Sequence, residues 1–384
     1  MEDEIYLDNN ATTAPLDAVK SEVVACLEHG FGNPSSPHGR GNACRATLTM
    51  ARERVAGLIG AKAEQVHFVC SATEGNNTVQ QSVLHCGGLK RVVTTSVEHA
   101  SVLDTAAFLE DRGIEVSYLP VDGAGRVRRS DLEAALQDGP ALVSIQWANS
   151  ETGVVQPVEE FGELCHEYRA LFHVDAAQAV GRIPVHMDAL PIDFLTFTGH
   201  KLHGPQGTGV LCAKNPNWLV PLLHGGDQEK DLRAGTENVP GIVGLGRAAH
   251  ERCTNFDEAV QHMRDLRDRF ESAILDRVDG VSVNGDPEHR VCNTTNLRFA
   301  EIEGQALMAQ LDRRGILCSQ TSACTSQKPE PSYVLRRMGL SEDEAFASVR
   351  FSFSVLNTRE EVDRAVEAID EVVTRLTRFA RMAG

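Results

Sequence analysis

The chain has 384 residues and a mass of 41.7 kDa, enough for two or three compact domains with a sizeable core. With 42% apolar and 24% charged residues, 32 glycines and 15 prolines, its composition excludes disorder, collagen and low complexity. A formal charge of −17 with no Lys/Arg-rich block speaks against direct nucleic-acid binding, because phosphate backbones would be repelled.

From about Lys62 to Gly209, short apolar runs alternate with helical patterns, the rhythm of strands crossed over by helices in a mainly parallel sheet. The runs predict strands over residues 65–70, 91–95, 115–119, 142–146, 171–174, 194–198 and 210–213. Several are too uniformly apolar for a half-exposed sheet. Beyond Gly246 the period changes. Val260, Met263, Leu266, Phe270 and Ile274 recur every three or four residues and predict one face of a helix, where a second domain begins. Residues 320–331 (QTSACTSQKPEP) lack an apolar period and are rich in Ser, Thr and Pro, so they read as an exposed, mobile loop around Cys324. Residues 348–354 alternate Val349, Phe351 and Phe353 with Arg350, Ser352 and Ser354, a strand with an arginine on its polar face. A last helix follows Thr358 and Glu361, an S/T-x-x-E capping box, with Val362, Val366, Ile369, Val373 and Leu376 on its apolar face.

No apolar run approaches the roughly 18 residues of a membrane span, and the start Met1-Glu2-Asp3-Glu4 lacks the basic and apolar regions of a signal peptide. A cytoplasmic protein without membrane contact is expected. Ten cysteines are too dilute for a disulfide framework, and the closest pair, Cys318 and Cys324, is not a C-x-x-C. Reduced thiols and no metal site are expected.

In an open α/β sheet, ligands sit outside the carboxyl ends of the strands, so polar residues directly after apolar runs are the ones to weigh. Asp175 ends Leu171-Phe172-His173-Val174, and Lys201 stands three residues after the run at 194–198. Pyridoxal phosphate needs a lysine to form a Schiff base and a carboxylate to hold its pyridine nitrogen protonated. A capping aspartate with a solvated lysine is the plain alternative. With only seven lysines in the chain, Lys201 has few competitors. Ser71-Ala72-Thr73-Glu74-Gly75-Asn76-Asn77 places small hydroxyl-bearing residues where a helix begins, which suits a phosphate on free backbone amides and suits simple N-capping as well. The glycine-rich stretch at 204–209 matches neither a P-loop nor a dinucleotide fingerprint, since a strand follows it, and reads as a turn. His99, just past the run at 91–95, suits stacking on a ring, proton transfer or a structural role. Cys324 differs from the cysteines in apolar or helical contexts because a polar segment leaves its thiol accessible, although reactivity also needs a cationic neighbour. Arg350 suits a bidentate pair with a carboxylate, as well as simple solvent exposure.

Taken in order, the strings YLDNNATT (6–13), GNPSS (32–36), SATEGNN (71–77), NSETG (149–153), HVDAAQ (173–178), GHKLHGP (199–205), RAGTEN (233–238) and SACTS (322–326) span nearly the whole chain. In these strings the chain resembles the cysteine desulfurases, and the long loop around Cys324 resembles the NifS and IscS kind. Two stretches depart from that pattern: Thr198 stands where serine is usual, keeping the hydroxyl, and Gln327-Lys328-Pro329 replaces a more flexible Gly- or Ser-containing stretch.

The resemblance implies an α/β protein of pyridoxal-phosphate fold type I, like aspartate aminotransferase. A large cofactor domain of mainly parallel sheet would span 15–255, and a smaller α+β domain would be formed by 1–14 and 256–384. It implies conversion of L-cysteine to L-alanine by a homodimer with both sites at the interface. Lys201 would carry the Schiff base, Asp175 would pair with the pyridine nitrogen, Gln178 would bond the ring hydroxyl and His99 would stack on the ring. Ala72, Thr73, Thr198 and His200 would hold the phosphate, with Thr236 reaching that of the other subunit. Asn10, Asn149 and Arg350 would bind the substrate. Cys324 would take the sulfur as a persulfide and pass it to an acceptor protein, in iron–sulfur cluster assembly or a thiolation pathway. A selenocysteine lyase or aminotransferase of the same fold, or a non-catalytic sulfur-transfer scaffold, are the rival readings.

Overall fold

The chain opens with a short strand, β1 (Ile5–Tyr6), followed by helices α1 (Asp17–His29) and α2 (Gly39–Ile59). Then β2 (Val66–Val69), α3 (Ala72–Gln81), β3 (Arg91–Thr95), α4 (Ala100–Glu110), β4 (Glu115–Leu119), α5 (Arg129–Leu136), β5 (Leu142–Gln146), α6 (Val158–Glu167) and β6 (Leu171–Asp175) alternate as expected. Two further strands, β7 (Phe194–Thr198) and β8 (Gly209–Ala213), lead to α7 (Val239–Thr254) and α8 (Phe256–Arg277). The remainder comprises β9 (Val281–Val283), β10 (Thr294–Phe299), α9 (Gly304–Asp312), β11 (Ile316–Leu317), α10 (Tyr333–Arg337), α11 (Glu342–Phe346), β12 (Ser348–Ser352) and α12 (Arg359–Ala383). This computed structural model describes residues 4–85, 89–320 and 330–383, with side chains of α12 described as far as residue 378.

Strands β2 to β8 build one seven-stranded sheet in the order β2-β8-β7-β6-β5-β3-β4. Neighbours from β4 to β7 are parallel, while β8 runs antiparallel to both β7 and β2. The strands of the sheet's middle are buried on both faces, which explains why their sequences read as continuous apolar runs. Since β8 alone is reversed, the carboxyl ends of β2, β3, β5, β6 and β7 open on the same edge.

A second core lies on β9, β10 and β12, an antiparallel sheet in the order β12-β10-β9. Leu266, Phe270 and Ile274 of α8 meet Val349 and Phe351 of β12, Phe353 and Val362, Val366 and Ile369 of α12 in one buried cluster. The Phe270 ring lies 4.8 Å from that of Phe351 and 5.4 Å from that of Phe353. Val260 of the expected apolar face is only half-buried, and Ala259 is buried instead. At the start of α12 the capping box forms as read: Glu361 N donates to Thr358 Oγ1 at 3.2 Å and Thr358 N to Glu361 Oε2 at 3.0 Å. The N-terminal segment belongs to this part of the molecule, because β1 pairs in parallel with β11 and Asp8 forms a bridge with Ser352.

One close approach in the large sheet bears on the site. A Cβ on Gly209 would lie 2.6–2.9 Å from the backbone of Ser71, just before α3. Gly209→Ala therefore pushes the start of α3 off the sheet, at an expected cost of about 1–3 kcal/mol of stability. Thermal melts and a cofactor titration read both effects. A variant with unchanged melting and cofactor affinity would show that this contact positions nothing.

Candidate active site

The sheet edge where β2, β3, β5, β6 and β7 end carries a cleft of about 870 Å³, measured out into its open mouth. Lys201, Asp175, Gln178, His99, Thr73, Ala72, Thr198, His200, Asn10 and Arg350 all line it. Asn10 comes from the N-terminal segment and Arg350 from β12, so both cores contribute to one pocket. Two expected members, Asn149 and Thr236, are not on its wall. Asn149 is buried within its own turn, where Oδ1 accepts from Glu151 N at 2.9 Å and Thr152 N at 3.0 Å while Nδ2 donates to Val97 O at 3.2 Å. Thr236 is exposed on the segment before α7. Cys324 and residues 321–329 lie outside the described residues.

Lys201 follows β7 in a single 3₁₀ turn (Gly199–Lys201), and its Nζ donates to the backbone carbonyl of Asn10. Burial, with the Arg350 and Arg182 cations adding to it, lowers the ammonium to about 7, against the opposing pull of Asp8 and Asp175. A free amine at neutral pH is what a covalent bond to an aldehyde requires. Arg350 is 1% exposed and reaches the pocket from the polar face of β12. Its Nη2 pairs with Asp8 Oδ1 at 2.5 Å, its Nη1 donates to Ser150 O at 2.9 Å, and its buried Nε has no partner among the described residues. The sequence reading missed Asp8. Its signal was the YLDN string itself, which fold-level pairing brings beside β12.

Asp175 sits at the end of β6, where Asn76 Nδ2 donates to Oδ2 at 2.7 Å and Ala177 N to Oδ1 at 2.9 Å. A buried chain of polar groups stands behind it. Ser144 Oγ lies 2.8 Å from His173 Nδ1, whose Nε2 lies 3.2 Å from Thr196 Oγ1, and the Thr196 hydroxyl donates to Asn76 Oδ1. Burial lowers His173 to about 4, so it passes hydrogen bonds as a neutral ring. The other hydrogen of Asn76 Nδ2 goes to Ser101 Oγ at 2.9 Å, and Ser101 N donates to His99 Nδ1 at 3.1 Å. A backbone amide always donates, so His99 Nδ1 is the acceptor and a neutral ring carries its proton on Nε2. Burial lowers the His99 pKa, which favours that neutral form. Glu98, buried beside it, accepts from Thr95 Oγ1 at 2.6 Å and Gln146 N at 2.8 Å, and burial pushes it up to about 8.

At the other end of the cleft, Ser71 Oγ caps α3 by accepting from Glu74 N at 3.2 Å. The amides of Ala72 and Thr73 belong to the first turn, which has no intrahelical acceptors and carries the positive end of the helix dipole. Thr198 Oγ1 donates to Thr208 O at 3.0 Å, and His200 Nδ1 lies 3.1 Å from Thr12 Oγ1. Burial first, then Lys201 and Arg182, lower His200 to about 4, so it stands in the cleft as a neutral ring. Among the described residues no group of His, Cys, Asp and Glu is placed to hold a metal ion, and no helix is long and apolar enough to cross a membrane.

An amine with a depressed pKa, a carboxylate fixed by two donors and a helix start lined with hydroxyls meet in one cleft, and this donor set fits pyridoxal phosphate. The fold and the pocket thus define a pyridoxal-phosphate enzyme of fold type I. The class-V aminotransferase family model matches residues 5–365. A cysteine desulfurase of Trichormus azollae is 45% identical over 373 residues, covering 97% of this chain and 93% of that protein. A solved NifS-like protein superposes with a TM-score of 0.90 at 35% identity, over 97% of this chain and 99% of that one. A structure of SspA in complex with cysteine gives a TM-score of 0.81 at 32% identity, over 92% of this chain and 100% of that one. The chain belongs to the class-V aminotransferase family, and within it to the cysteine desulfurases.

Proposed function

We propose that the pocket divides its work among the residues that line it. Lys201 Nζ holds the cofactor covalently, Asp175 keeps the pyridine nitrogen protonated, Gln178 donates to the ring oxygen and His99 stacks on the ring. The first-turn amides of Ala72 and Thr73, with Thr198 and His200, take the phosphate. Arg350 binds the substrate carboxylate beside Asn10, and Asn149 holds the turn whose Ser150 carbonyl accepts from Arg350. The observation that carries this reading is the meeting of Lys201, Asp175 and Arg350 in one cleft.

Bound there, pyridoxal phosphate supplies an electron sink for the charge left at the substrate's Cα. Lys201 Nζ takes the α-proton, and Cys324, as thiolate, attacks the substrate sulfur. The Cβ–Sγ bond of the substrate breaks, a sulfur–sulfur bond to Cys324 forms, and Cβ gains a proton to give L-alanine. Carbon is reduced as sulfur is oxidised, so this step needs no outside oxidant or reductant. The Cys324 persulfide then passes its outer sulfur to an acceptor protein, a scaffold or carrier in iron–sulfur cluster assembly or a thiolation pathway, in the cytoplasm. Gln327-Lys328-Pro329 bear on which acceptor docks.

The working unit is a homodimer, with Thr236 of each copy reaching the other's phosphate site. Exposed apolar side chains support this: Val24 and Leu27 on α1, Phe31 after it and Met50 on α2 are 45–61% exposed. The division into 15–255 and 1–14 with 256–384 is part of the same reading, supported by the two separate buried clusters.

Cys324→Ser tests the assignment. The variant should keep the bound cofactor's visible colour yet lose release of sulfide and alanine from L-cysteine with a reductant present. Equal turnover by the serine variant would instead favour a lyase or transaminase.

A further inference from the structure

Arg182 lies in the turn after β6, only 6% exposed, and among the described residues no carboxylate comes within ion-pair distance of it. A second buried cation stands nearby. Arg252 of α7, 7% exposed, packs against Gly181, where a Cβ would lie 3.2 Å from its Cγ, and its buried Nη1 has no hydrogen-bond partner among the described residues. Two desolvated guanidinium groups side by side are expensive, and burial with the neighbouring Arg252 and Arg350 charges lowers Arg182 to about 10, which still leaves it cationic at neutral pH. The fold keeps this charge for the contacts it makes. Arg182 Nη1 donates to Gln178 Oε1 at 2.6 Å and to Gln178 O at 3.0 Å.

The consequence falls on the Gln178 side chain. An isolated amide can turn over and exchange its oxygen for its nitrogen, but with a guanidinium on Oε1 it cannot do so without setting N–H against N–H. The Nε2 end is therefore fixed away from Arg182, where one hydrogen goes to Asn10 O at 3.0 Å. Gln178 also lines the cleft, and Nε2 keeps a second hydrogen. The short charge-assisted bond draws electron density to Oε1 and strengthens Nε2–H as a donor. We infer that Arg182 is a positioning residue that locks Gln178 as a polarised donor toward an anionic oxygen on the cofactor ring. This rests on the reading of Gln178 as the partner of that oxygen.

A merely structural arginine would stabilise the turn from Gln178 to Arg182 and leave the cofactor's electronics alone. The two cases separate in the visible spectrum of the loaded protein titrated over pH. The visible band changes when the cofactor–Lys201 linkage loses its proton, and a nearby cation and a strong donor on the ring oxygen both make that loss easier. Arg182→Met and Arg182→Gln should therefore raise the midpoint by roughly half a pH unit or more, and Arg182→Lys should restore most of the shift. In a Gln178→Leu background the effect of Arg182→Met should fall to less than half. Two charge-removing variants keep the test usable if one folds poorly, and thermal melts report on folding separately. Midpoints unchanged in both, with normal cofactor loading, would overturn the inference, as would an undiminished Arg182→Met shift in the Gln178→Leu background. If Gln178→Leu itself leaves the midpoint in place, the reading of Gln178 fails first and this inference with it. If Gln178→Leu moves the midpoint and the Arg182 variants do not, the inference alone falls.

Discussion

Lys201→Ala should give a colourless protein whose release of alanine from L-cysteine is at least roughly a thousandfold below that of the unaltered chain. Among the described residues no other lysine lines the cleft, so Lys20, Lys62, Lys90, Lys214 and Lys230 cannot replace it. The same burial that places the amine at the end of β7 makes it reactive, because a buried ammonium with Arg350 and Arg182 nearby gives up its proton at about pH 7. The sign of the pH effect follows. Below that value Nζ is protonated and cannot attack an aldehyde carbon; above it the lone pair is free. Uptake of cofactor by the apo-protein, followed by absorbance, should accelerate as pH rises through about 7 and level off above it. A midpoint near that of an ordinary lysine, above pH 10, would mean that burial does not tune this group. An alanine variant that retained colour after dialysis and turned over cysteine would remove Lys201 from the centre of the site.

Much of this architecture was legible because the local signals agree with one another. Runs at 91–95, 142–146 and 194–198 became strands over those same residues, since a strand buried on both faces shows no alternation of exposed polar positions. Thr358 and Glu361 marked the start of α12 through reciprocal hydrogen bonds that involve only neighbours in sequence. What stayed hidden depends on distant parts of the chain. The order β2-β8-β7-β6-β5-β3-β4 is a matter of which strands meet across helices, and nothing within a strand records its neighbour. Asn76, Thr196 and His173 looked like an ordinary capped helix and two apolar strands, yet together they hold Asp175 from behind. Asn149 shows the opposite limit. The family resemblance implied a substrate contact, while Glu151 N and Thr152 N of its own turn and the distant Val97 O engage its amide. Sequence position shows where a polar group can stand; the competing partners that fold around it decide what remains for a ligand.

Arg350→Ala should raise KM for L-cysteine by roughly 10- to 100-fold with a smaller change in kcat, the loss expected when a charge-assisted contact to a carboxylate disappears. Arg350 holds Asp8 and Ser150 O while its buried Nε has no partner among the described residues, so the guanidinium has donors to spare for an incoming carboxylate. Asp8 is the counter-charge that holds this cation in place. Removal of Arg350 must then be felt at Lys201 as well, because Arg350 is the largest of the charges that lower the lysine's pKa. Without it the ammonium is easier to keep, and the pH at which the apo-protein takes up cofactor moves upward. A conservative Arg350→Lys keeps a charge but not the planar fork, so it should leave that pH near its original value while KM remains raised. The two readouts therefore part company in the lysine variant, since one follows charge and the other geometry. An Arg350→Ala enzyme with unchanged KM would send the search for the carboxylate's partner elsewhere in the cleft, and an unmoved uptake profile would show that the two cations do not sense each other.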